Sequence, residues 1–555
     1  MSSLNWTTIL GNSTSGKATF VRGQTIDINQ SSYSLLVPWL YYLSAPLATT
    51  ALWGLWNYVF RLLLLRRWYE KQGISFVNEC YAVVGAEIRV TGLQQENKSH
   101  DWLYKDKTSE LYGTLRGLTL QLYTTNAQLC GELVRKTGRH VDRDTPALHS
   151  VGRLSPSAIP FQSMHKLRFR DRKGTLTKGV NDNKRLFEIV ERQAHSLLDE
   201  NKANSSAEKP IDVRAMLEQW TRKTSGEFVW GQANIARRLT IEETDGVFRE
   251  LPFMTVLNQT FTELRFYSSK FWNRVWFPLA GMPLTHEARR LNRNIAILRS
   301  ICTDMMNNPE PGTVAAIVQD MNDSLGLDKV FTLDDLITAT FAGLDAVKST
   351  VMGCLYHMLN PAHSHWRQAL LDELDNLDTQ PGPMDVKLMN APILNAFVYE
   401  SLRFEPPGSL INNAAVEDFD LAHRGKIYKI KAGTRIVTSI HALHQNEASW
   451  REVAPDMSPL SVFDPNRFLD YGERLIGSSC FMPFGKGPRR CPGQAQGALM
   501  VKGFLKVFLQ STGRCRIVIP EGQTEESSRF HVYSHATFGL VCEDKGEETL
   551  PESSE

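Results

Sequence analysis

The sequence has no large excess of charge of either sign and no cysteines in CxxC spacing. Its 62 basic and 60 acidic side chains leave a formal net charge of +2, so it lacks the strongly basic character typical of nucleic-acid-binding proteins. Its eight cysteines are scattered without CxxC spacing, which argues against a disulfide scaffold and a structural zinc site. With 42% hydrophobic residues, the chain is neither disordered nor collagen-like. These exclusions leave a large, mostly globular protein of 555 residues.

Charged residues are also absent from a long stretch near the N-terminus. The 33 residues between Asp27 and Arg61 carry no charge, and about 20 apolar residues span a bilayer. Because basic residues follow this stretch more than they precede it, the positive-inside rule places the C-terminal bulk in the cytosol. We therefore expect a luminal tail (1–32) and a single-pass membrane anchor (33–65) in the endoplasmic reticulum membrane. A buried core helix and a cleaved signal peptide are the alternatives.

Helical periodicity dominates the rest of the chain. Apolar residues recur at three- and four-residue spacing in the segments 183–198, 212–226, 284–306, 333–359, 364–377 and 387–402. Strand-like runs are fewer and cluster late, at 427–430, 435–440, 514–519 and 536–542. The pattern predicts a mainly α domain with small peripheral β-sheets, preceded by the N-terminal transmembrane helix. The acidic segment 543–555 is expected to be a disordered tail.

One cysteine, Cys491, lies in an unusual stretch, FMPFGKGPRRCPG (481–493). Its glycines allow tight turns and the close approach of a bulky group. Arg489 offers a fork of donors to a carboxylate, and backbone amides at the start of the following helix can stabilise a thiolate. Such a thiolate suits a soft or borderline metal, haem iron included. A buried structural cysteine in a glycine-rich loop is the alternative.

The same stretch matches F-x-x-G-x-R-x-C-x-G at every fixed position, and so resembles the haem-binding loop of the cytochrome P-450 superfamily. The resemblance implies that the cofactor is haem (heme, iron protoporphyrin IX), that Cys491 is the axial ligand of its iron and that Arg489 contacts a propionate. The cofactor-binding positions are Phe484, Gly487, Arg489, Cys491 and Gly493.

Three further stretches resemble the family in the same order along the chain. Glu400 and Arg403 match its E-x-x-R helix, Arg467 matches its P-x-R-F element, and 444–450 resembles H-R-D-P-x-x-W with a changed middle. The resemblance implies a buried structural network of Glu400, Arg403 and Arg467 that holds the haem loop. The E-x-x-R spacing alone is unspecific, because it also occurs in the pairs Glu132/Arg135 and Glu287/Arg290.

The long central helix departs from the family pattern A/G-G-x-D/E-T at its last position. Ala342, Gly343 and Asp345 match the pattern, and the resemblance implies that they line an oxygen site. Ala346 stands where the family has a threonine whose hydroxyl helps to deliver protons. Thr350, one turn further on, is too far away to replace it. Members without this threonine either insert oxygen or rearrange or dehydrate substrates, and the retained Asp345 favours oxygen insertion.

The family resemblance extends over 138–542, the expected catalytic domain. The segment 66–137 lacks the family's proline-rich hinge, so either it has diverged or its gene model is wrong. Substrate contacts are expected near 150–163, Phe341, the segment after Pro407 and 536–538. Contacts to the haem propionates are expected within 161–180, where the candidates are His165, Arg168, Arg170, Arg172 and Lys173.

The resemblance therefore implies a membrane-bound haem-thiolate monooxygenase that acts on a hydrophobic small molecule. The chain holds no G-x-G-x-x-G and no room for flavin domains, so NADPH acts only indirectly, through a separate flavoprotein reductase. This partner is expected on a basic face that includes Lys486 and Arg490. The altered oxygen site favours secondary metabolism. The alternatives are a haem-thiolate isomerase or dehydratase without external reductant, and a haem-binding protein without catalysis.

Overall fold

The structure is a computed structural model that describes residues 17–20, 24–27, 48–50, 52–77, 110–116, 119–143, 151–203, 210–269, 281–513, 515–519 and 537–542. The chain divides into two units, Met1–Arg67 and Trp68–Glu555. In the first unit, β1 (Lys17–Phe20) pairs antiparallel with β2 (Gln24–Asp27). A π-helical segment, Trp56–Phe60, precedes the helix Arg61–Lys71.

The predicted membrane anchor is only partly described. Within the described residues, no helix is both long enough and apolar enough to cross a membrane. The first half of the predicted anchor, before residue 48, lies outside the described residues, as do most of the predicted luminal tail and the whole predicted tail 543–555.

The second unit is mainly helical, which confirms the mainly α part of the predicted fold class. The described helices are Ala127–Lys136, Phe169–Gly179, Asn183–Ala203, Val213–Trp230, Gln232–Ile235, Phe253–Ser269, His286–Asn307, Val314–Ser324, Lys329–Leu359, Ser364–Thr379, Met384–Asn390, Pro392–Phe404, Ile440–His444, Glu447–Arg451, Asn466–Gly477 and Gln494–Ser511. The prediction of one helix over 387–402 is wrong, because Pro392 lacks the amide donor that a continuous helix would need and instead begins a new helix.

Lys329–Leu359, hereafter the central helix, runs through the hydrophobic core. It begins at Asp328, whose carboxylate accepts a hydrogen bond from the amide of Val330 (2.8 Å). Most of its 31 residues are buried, so the helix has apolar contacts on nearly all sides. The indole of Trp230 donates to the hydroxyl of Thr340 (2.8 Å), which joins the central helix to the neighbouring helix Val213–Trp230.

The largest sheet has six strands: β3 (Ser75–Phe76), β4 (Leu111–Arg116), β5 (Thr119–Thr124), β6 (Val141–Arg143), β10 (Leu410–Ala415) and β13 (Arg435–Ser439). Their order in the sheet is β3-β4-β5-β13-β10-β6. Strands β13 and β5 are parallel, as are β3 and β4, whereas the other pairs are antiparallel. The prediction that strands cluster late is wrong for this sheet, since four of its strands precede residue 144.

The remaining sheets are small and peripheral, as predicted. They are formed by β8 (Arg238–Glu242) with β9 (Phe248–Pro252), by β11 (Phe419–His423) with β12 (Lys426–Ile430), and by β14 (Cys515–Val518), β15 (Gly539–Cys542) and β7 (Ile211–Asp212). Cys515 and Cys542 face each other across β14 and β15 and form a disulfide. The scattered cysteine spacing did not predict this pair, because only strand pairing brings the two residues together.

Candidate functional site

The stretch 481–493, here called the cysteine loop, is closed by a hydrogen bond from the amide of Cys491 to the carbonyl of Phe484 (2.9 Å). Gly487 has a left-handed backbone conformation (φ +66°), which favours glycine. A Cβ atom there would also lie only 2.9 Å from the Cγ1 atom of Val134. The turn that brings Cys491 to the start of the helix Gln494–Ser511 therefore requires the glycine at 487.

Cys491 is the exposed member of the free cysteines in the described part of the chain, where the others, Cys130, Cys302, Cys354 and Cys480, are buried. Burial by surrounding protein atoms nevertheless raises the pKa of the Cys491 thiol. The Gly493 amide, Lys173 and Arg490 act in the opposite direction and favour the thiolate. The residue is thus accessible although protein atoms surround its thiol on most sides. Its sulfur can bind a metal and would then lose its proton.

Three charged side chains singled out by the sequence, Glu400, Arg403 and Arg467, meet in the interior and are at most 1% exposed. Both oxygens of Glu400 accept hydrogen bonds from Arg403 at 2.8 Å, and Arg467 donates to the same carboxylate at 3.2 Å. Arg467 also donates to the carbonyls of Ser458 (2.8 Å) and Val462 (2.9 Å). Because each buried charge is paired, this network fastens an irregular segment to the helix that carries Glu400.

His444 connects this network to the cysteine loop. Its Nε2 atom accepts a hydrogen bond from the amide of Met482 (3.1 Å), and its Nδ1 atom lies 3.3 Å from the carbonyl oxygen of Arg403. Burial lowers the pKa of His444 to about 3, so the ring is neutral at physiological pH. A neutral ring with its proton on Nδ1 satisfies both contacts. His444 therefore connects the network of Glu400, Arg403 and Arg467 to the cysteine loop.

Small residues form one face of the central helix near its middle. Ala342 is exposed, and Ala339, Gly343 and Ala346 are half-buried, although residues on the other faces are buried. A Cβ atom on Gly343 would lie 2.6 Å from the Oγ atom of Ser225, so this position requires glycine. This face is the accessible part of the middle of a helix whose other faces are enclosed by the core.

Asp345 lies beside this face and is held by two cations. Its carboxylate accepts from Lys348 (2.8 Å) and from Arg265 (3.2 Å). The hydroxyl of Thr350 donates to the carbonyl of Ala346 within the same helix (2.9 Å). Thr350 therefore uses its proton locally, in agreement with the expectation that it does not replace the family's threonine.

A cluster of cations lies beside the cysteine loop. Arg489 pairs with Asp142 and donates to the carbonyls of Ile159 (3.2 Å) and Gln162 (2.6 Å). The Nε atoms of Arg143 and Arg489 are both buried and have no hydrogen-bond partner among the described residues. Burial, together with the repulsion from Arg489, lowers the pKa of Arg143 to about 10. Two guanidinium groups around one carboxylate leave a local excess of positive charge, which fits an anionic group such as a carboxylate of a bound cofactor.

The five propionate candidates of the sequence occupy different environments. Arg172 is buried and pairs with Asp335, and Arg168 pairs with Asp171. His165 and Arg170 are exposed. Lys173 is the candidate that reaches the cysteine loop, where its Nζ atom donates to the carbonyl of Pro488 (2.7 Å).

Sequence reasoning missed three residues of this site, Asp142, Arg143 and the bridging role of His444. Asp142 and Arg143 belong to β6, and no motif marks them, because pairing of β6 with β10 is what carries them to the loop. The histidine of the changed 444–450 motif was a usable signal, since its position relative to Glu400 matched the family order.

Comparison with known proteins gives a consistent family assignment. The family model described as Cytochrome P450 matches residues 81–532 and so begins within the segment 66–137. The chain is 30% identical over 198 residues to a "Probable cytochrome P450 28c1" of Drosophila melanogaster (34% of this chain, 37% of that protein). It is 28% identical over 292 residues to a "Cyclooctat-9-en-7-ol 5-monooxygenase" of Streptomyces melanosporofaciens (51% and 60%). It is 29% identical over 182 residues to a "Thromboxane-A synthase" of Sus scrofa (32% and 32%). The chain thus matches about a third to three fifths of the length of these relatives.

The buried network predicts that two E-x-x-R pairs of this chain contribute very differently to the free energy of unfolding. Replacing Glu400 (E400Q) leaves Arg403 and Arg467 without their counter-charge, and should lower the free energy of unfolding by about 3–5 kcal/mol. Glu132→Gln is the matched control, because Glu132 and Arg135 form the same spacing near the surface (3.0 Å), and it should cost about 0.5 kcal/mol. Urea unfolding of both variants measures the difference. Equal losses would contradict a structural role for Glu400.

Proposed function

The chain belongs to the cytochrome P450 family, and we propose that it is a haem-thiolate monooxygenase that oxidises a hydrophobic small molecule. The observation that carries the proposal is the accessible but desolvated thiol of Cys491, in a loop that matches the family's motif at each fixed position. The names of relatives, one of them a 5-monooxygenase of cyclooctat-9-en-7-ol, support oxygen insertion as the reaction class.

The residues present fit haem. When bound, haem supplies the iron centre that activates dioxygen. Cys491 would ligate the iron as a thiolate, and the partnerless Nε atoms of Arg143 and Arg489 would donate to the propionates. Lys173 and Arg490 stabilise the negative charge on the sulfur. Gly487 keeps the loop tight, so that a flat macrocycle can approach the backbone.

The alanine at 346, in place of the family's threonine, affects how protons reach the oxygen site. The carboxylate of Asp345 lies beside the exposed face of the central helix, and its ion pairs with Lys348 and Arg265 fix its position. Ala346 cannot donate a proton, and the Thr350 hydroxyl is used within the helix. We propose that ordered water or a hydroxyl of the substrate takes over this step. Ala346 at the position of the family's threonine also motivates the second candidate, a haem-thiolate isomerase or dehydratase that needs no reductant.

The substrate class follows from the exposed face of the central helix. The accessible face carries the methyl groups of Ala339, Ala342 and Ala346, and Phe341 stacks on Phe261 nearby (ring centroids 4.4 Å apart). An apolar lining of this kind binds hydrophobic ligands. A product of secondary metabolism is our proposal for the substrate, because the altered oxygen site departs from the common family pattern.

We propose attachment to the endoplasmic reticulum membrane, with the catalytic domain in the cytosol. The support is a series of large apolar side chains of the first unit that are exposed to solvent: Leu52, Trp53, Leu55, Trp56, Phe60, Leu63 and Leu64. Basic residues follow this series at 66 and 67, as the positive-inside rule requires of a cytosolic flank.

The docking face for an NADPH-dependent flavoprotein reductase needs one correction. Lys486 was expected to contribute to it, but its Nζ atom donates to the carbonyls of Ile476 (3.0 Å), Gly477 (2.8 Å) and Ser478. Lys486 thus satisfies the last carbonyls of the helix Asn466–Gly477. Arg490, the other cation expected on this face, is exposed and remains accessible to a partner.

We propose instead that the reductase contacts a groove of about 890 Å³ beside Pro488 of the cysteine loop. In the described part of the chain its lining has no acidic residue, and its basic lining residues are Arg139, His165, Arg170, Lys173 and Lys178. A concave basic surface next to the cysteine loop suits an acidic electron-donating partner.

Oxygen insertion is tested with membranes that contain this chain and a reductase, supplied with NADPH, isotopically labelled dioxygen and candidate hydrophobic metabolites. The proposal predicts labelled oxygen in a product that forms only with NADPH. An unlabelled product formed without NADPH would contradict it and would establish the isomerase or dehydratase. An unlabelled product that still requires NADPH would indicate oxidative desaturation or ring closure.

The groove predicts which cations control electron transfer. Arg170→Glu and Lys178→Glu should each slow reduction by the reductase roughly three- to tenfold at low salt, because they reverse charges that attract the partner. Lys426→Glu, an exposed cation of β12, is the matched control and should leave the rate unchanged. Stopped-flow reduction at two salt concentrations measures the effect. Equal rates in all three variants would place the reductase elsewhere.

A further inference from the structure

Two consecutive carboxylates, Asp334 and Asp335, are buried near the start of the central helix, where they are at most 1% exposed. Both accept hydrogen bonds from the backbone of the irregular segment 154–162. The amide of Ser157 donates to Asp334 (2.7 Å), and the amide of Ile159 donates to Asp335 (2.9 Å). The two carboxylates therefore supply partners to backbone amides of a segment whose regular structure is limited to one 3₁₀ turn, Ile159–Phe161.

Two arginines complete the same arrangement. Arg299 donates to the first carboxylate of the pair (2.5 Å) and to the carbonyl of Leu154 (2.7 Å). Arg172 donates to the second carboxylate (2.8 Å) and to the carbonyl of Ser157 (2.7 Å). Each carboxylate binds an amide of the segment while its arginine binds a carbonyl of the segment. Both buried charges are thus paired, and both pairs hold the same piece of chain.

The segment also has contacts at both of its ends. The hydroxyl of Ser155 lies 2.9 Å from that of Thr338, one turn further along the central helix. At the other end, Arg489 of the cysteine loop donates to the carbonyls of Ile159 and Gln162. The segment thus links the central helix to the cysteine loop. The exposed face of the central helix begins at Ala339, directly after Thr338.

From these contacts we infer that Asp334 and Asp335 are positioning residues, which hold 154–162 as a fixed wall of the space between Ala342 and the cysteine loop. The part of this inference that concerns the substrate cavity rests on the proposed function. The wall determines which ligands fit, because its backbone is fixed by buried charges and not by contacts that a ligand could displace. Neither carboxylate touches the substrate or cofactor.

The fixed backbone is tested by hydrogen exchange of the full-length chain, read by mass spectrometry on peptides that cover 154–162. Asp335→Asn removes the charge that Arg172 requires, so the amides of 155–159 should exchange about tenfold or more faster, since hydrogen bonds to charged groups are the strong ones. Asp320→Asn, at an exposed carboxylate, is the control and should leave these amides unchanged. Unchanged exchange in a folded Asp335→Asn protein would overturn the inference.

A second, less disruptive variant allows the same test if the Asp335→Asn protein does not fold. Thr338→Val keeps the shape of the side chain and removes only the contact to the Ser155 hydroxyl. Exchange of 154–157 should rise roughly twofold to fivefold, as expected for one neutral hydrogen bond, while the peptides of the helix Asn183–Ala203 stay unchanged. A uniform rise over all peptides would show general destabilisation and would also count against a local role.

The role as a cavity wall has a separate readout in the haem-loaded chain. Imidazole and 4-phenylimidazole are titrated and followed by the haem absorption spectrum, because the phenyl ring needs more of the cavity than imidazole does. Asp335→Asn should change the Kd of 4-phenylimidazole by roughly fivefold and that of imidazole by less than about twofold. Faster exchange with both Kd values unchanged would refute the wall. A chain that takes up no haem would refute the proposed function while the exchange result still stands.

Discussion

The bidentate pairing of Glu400 with Arg403, shared with Arg467, is the interaction on which the rest of the site depends. The carboxylate of Glu400 is shared by two buried guanidinium groups, whose remaining donors reach backbone carbonyls, and these contacts make the three charges tolerable without access to water. Those carbonyls belong to an irregular segment that no helix or sheet organises. Through His444, which binds Arg403 on one side and Met482 on the other, the same network sets the start of the cysteine loop.

A second set of buried charges, near the start of the central helix, is paired in a similar way. Asp334 and Asp335 with their arginines fasten 154–162, and Arg489 joins that segment to the cysteine loop. In both places a carboxylate orients an arginine whose remaining donors bind peptide carbonyls. Loops near the site therefore gain the rigidity that hydrogen-bond ladders give to helices and sheets. Such rigidity suits a protein that must keep a thiol accessible and yet shield it from water.

Much of this could be predicted from the sequence, and the exceptions have physical reasons. Apolar periodicity located the central helix, because a long buried helix carries its own signal, and motif spacing located Cys491 and Glu400. The strands β3 to β6 were not predicted, because a short strand in a mixed sheet depends on partners far away in the chain. The roles of Asp142 and Arg143 were not predicted for the same reason. Lys486 looked like a surface cation, since nothing in its neighbours shows that it binds the end of a preceding helix.

Our proposal requires that the Cys491 sulfur binds the haem iron, a bond that X-ray absorption at the iron edge of the haem-loaded chain measures. We expect one sulfur neighbour of iron in the natural protein and in Cys480→Ser, a buried cysteine close by in the sequence. We expect no sulfur neighbour in Cys491→Ser. A sulfur neighbour that persists in Cys491→Ser, or that is missing from the natural protein, would contradict ligation by Cys491.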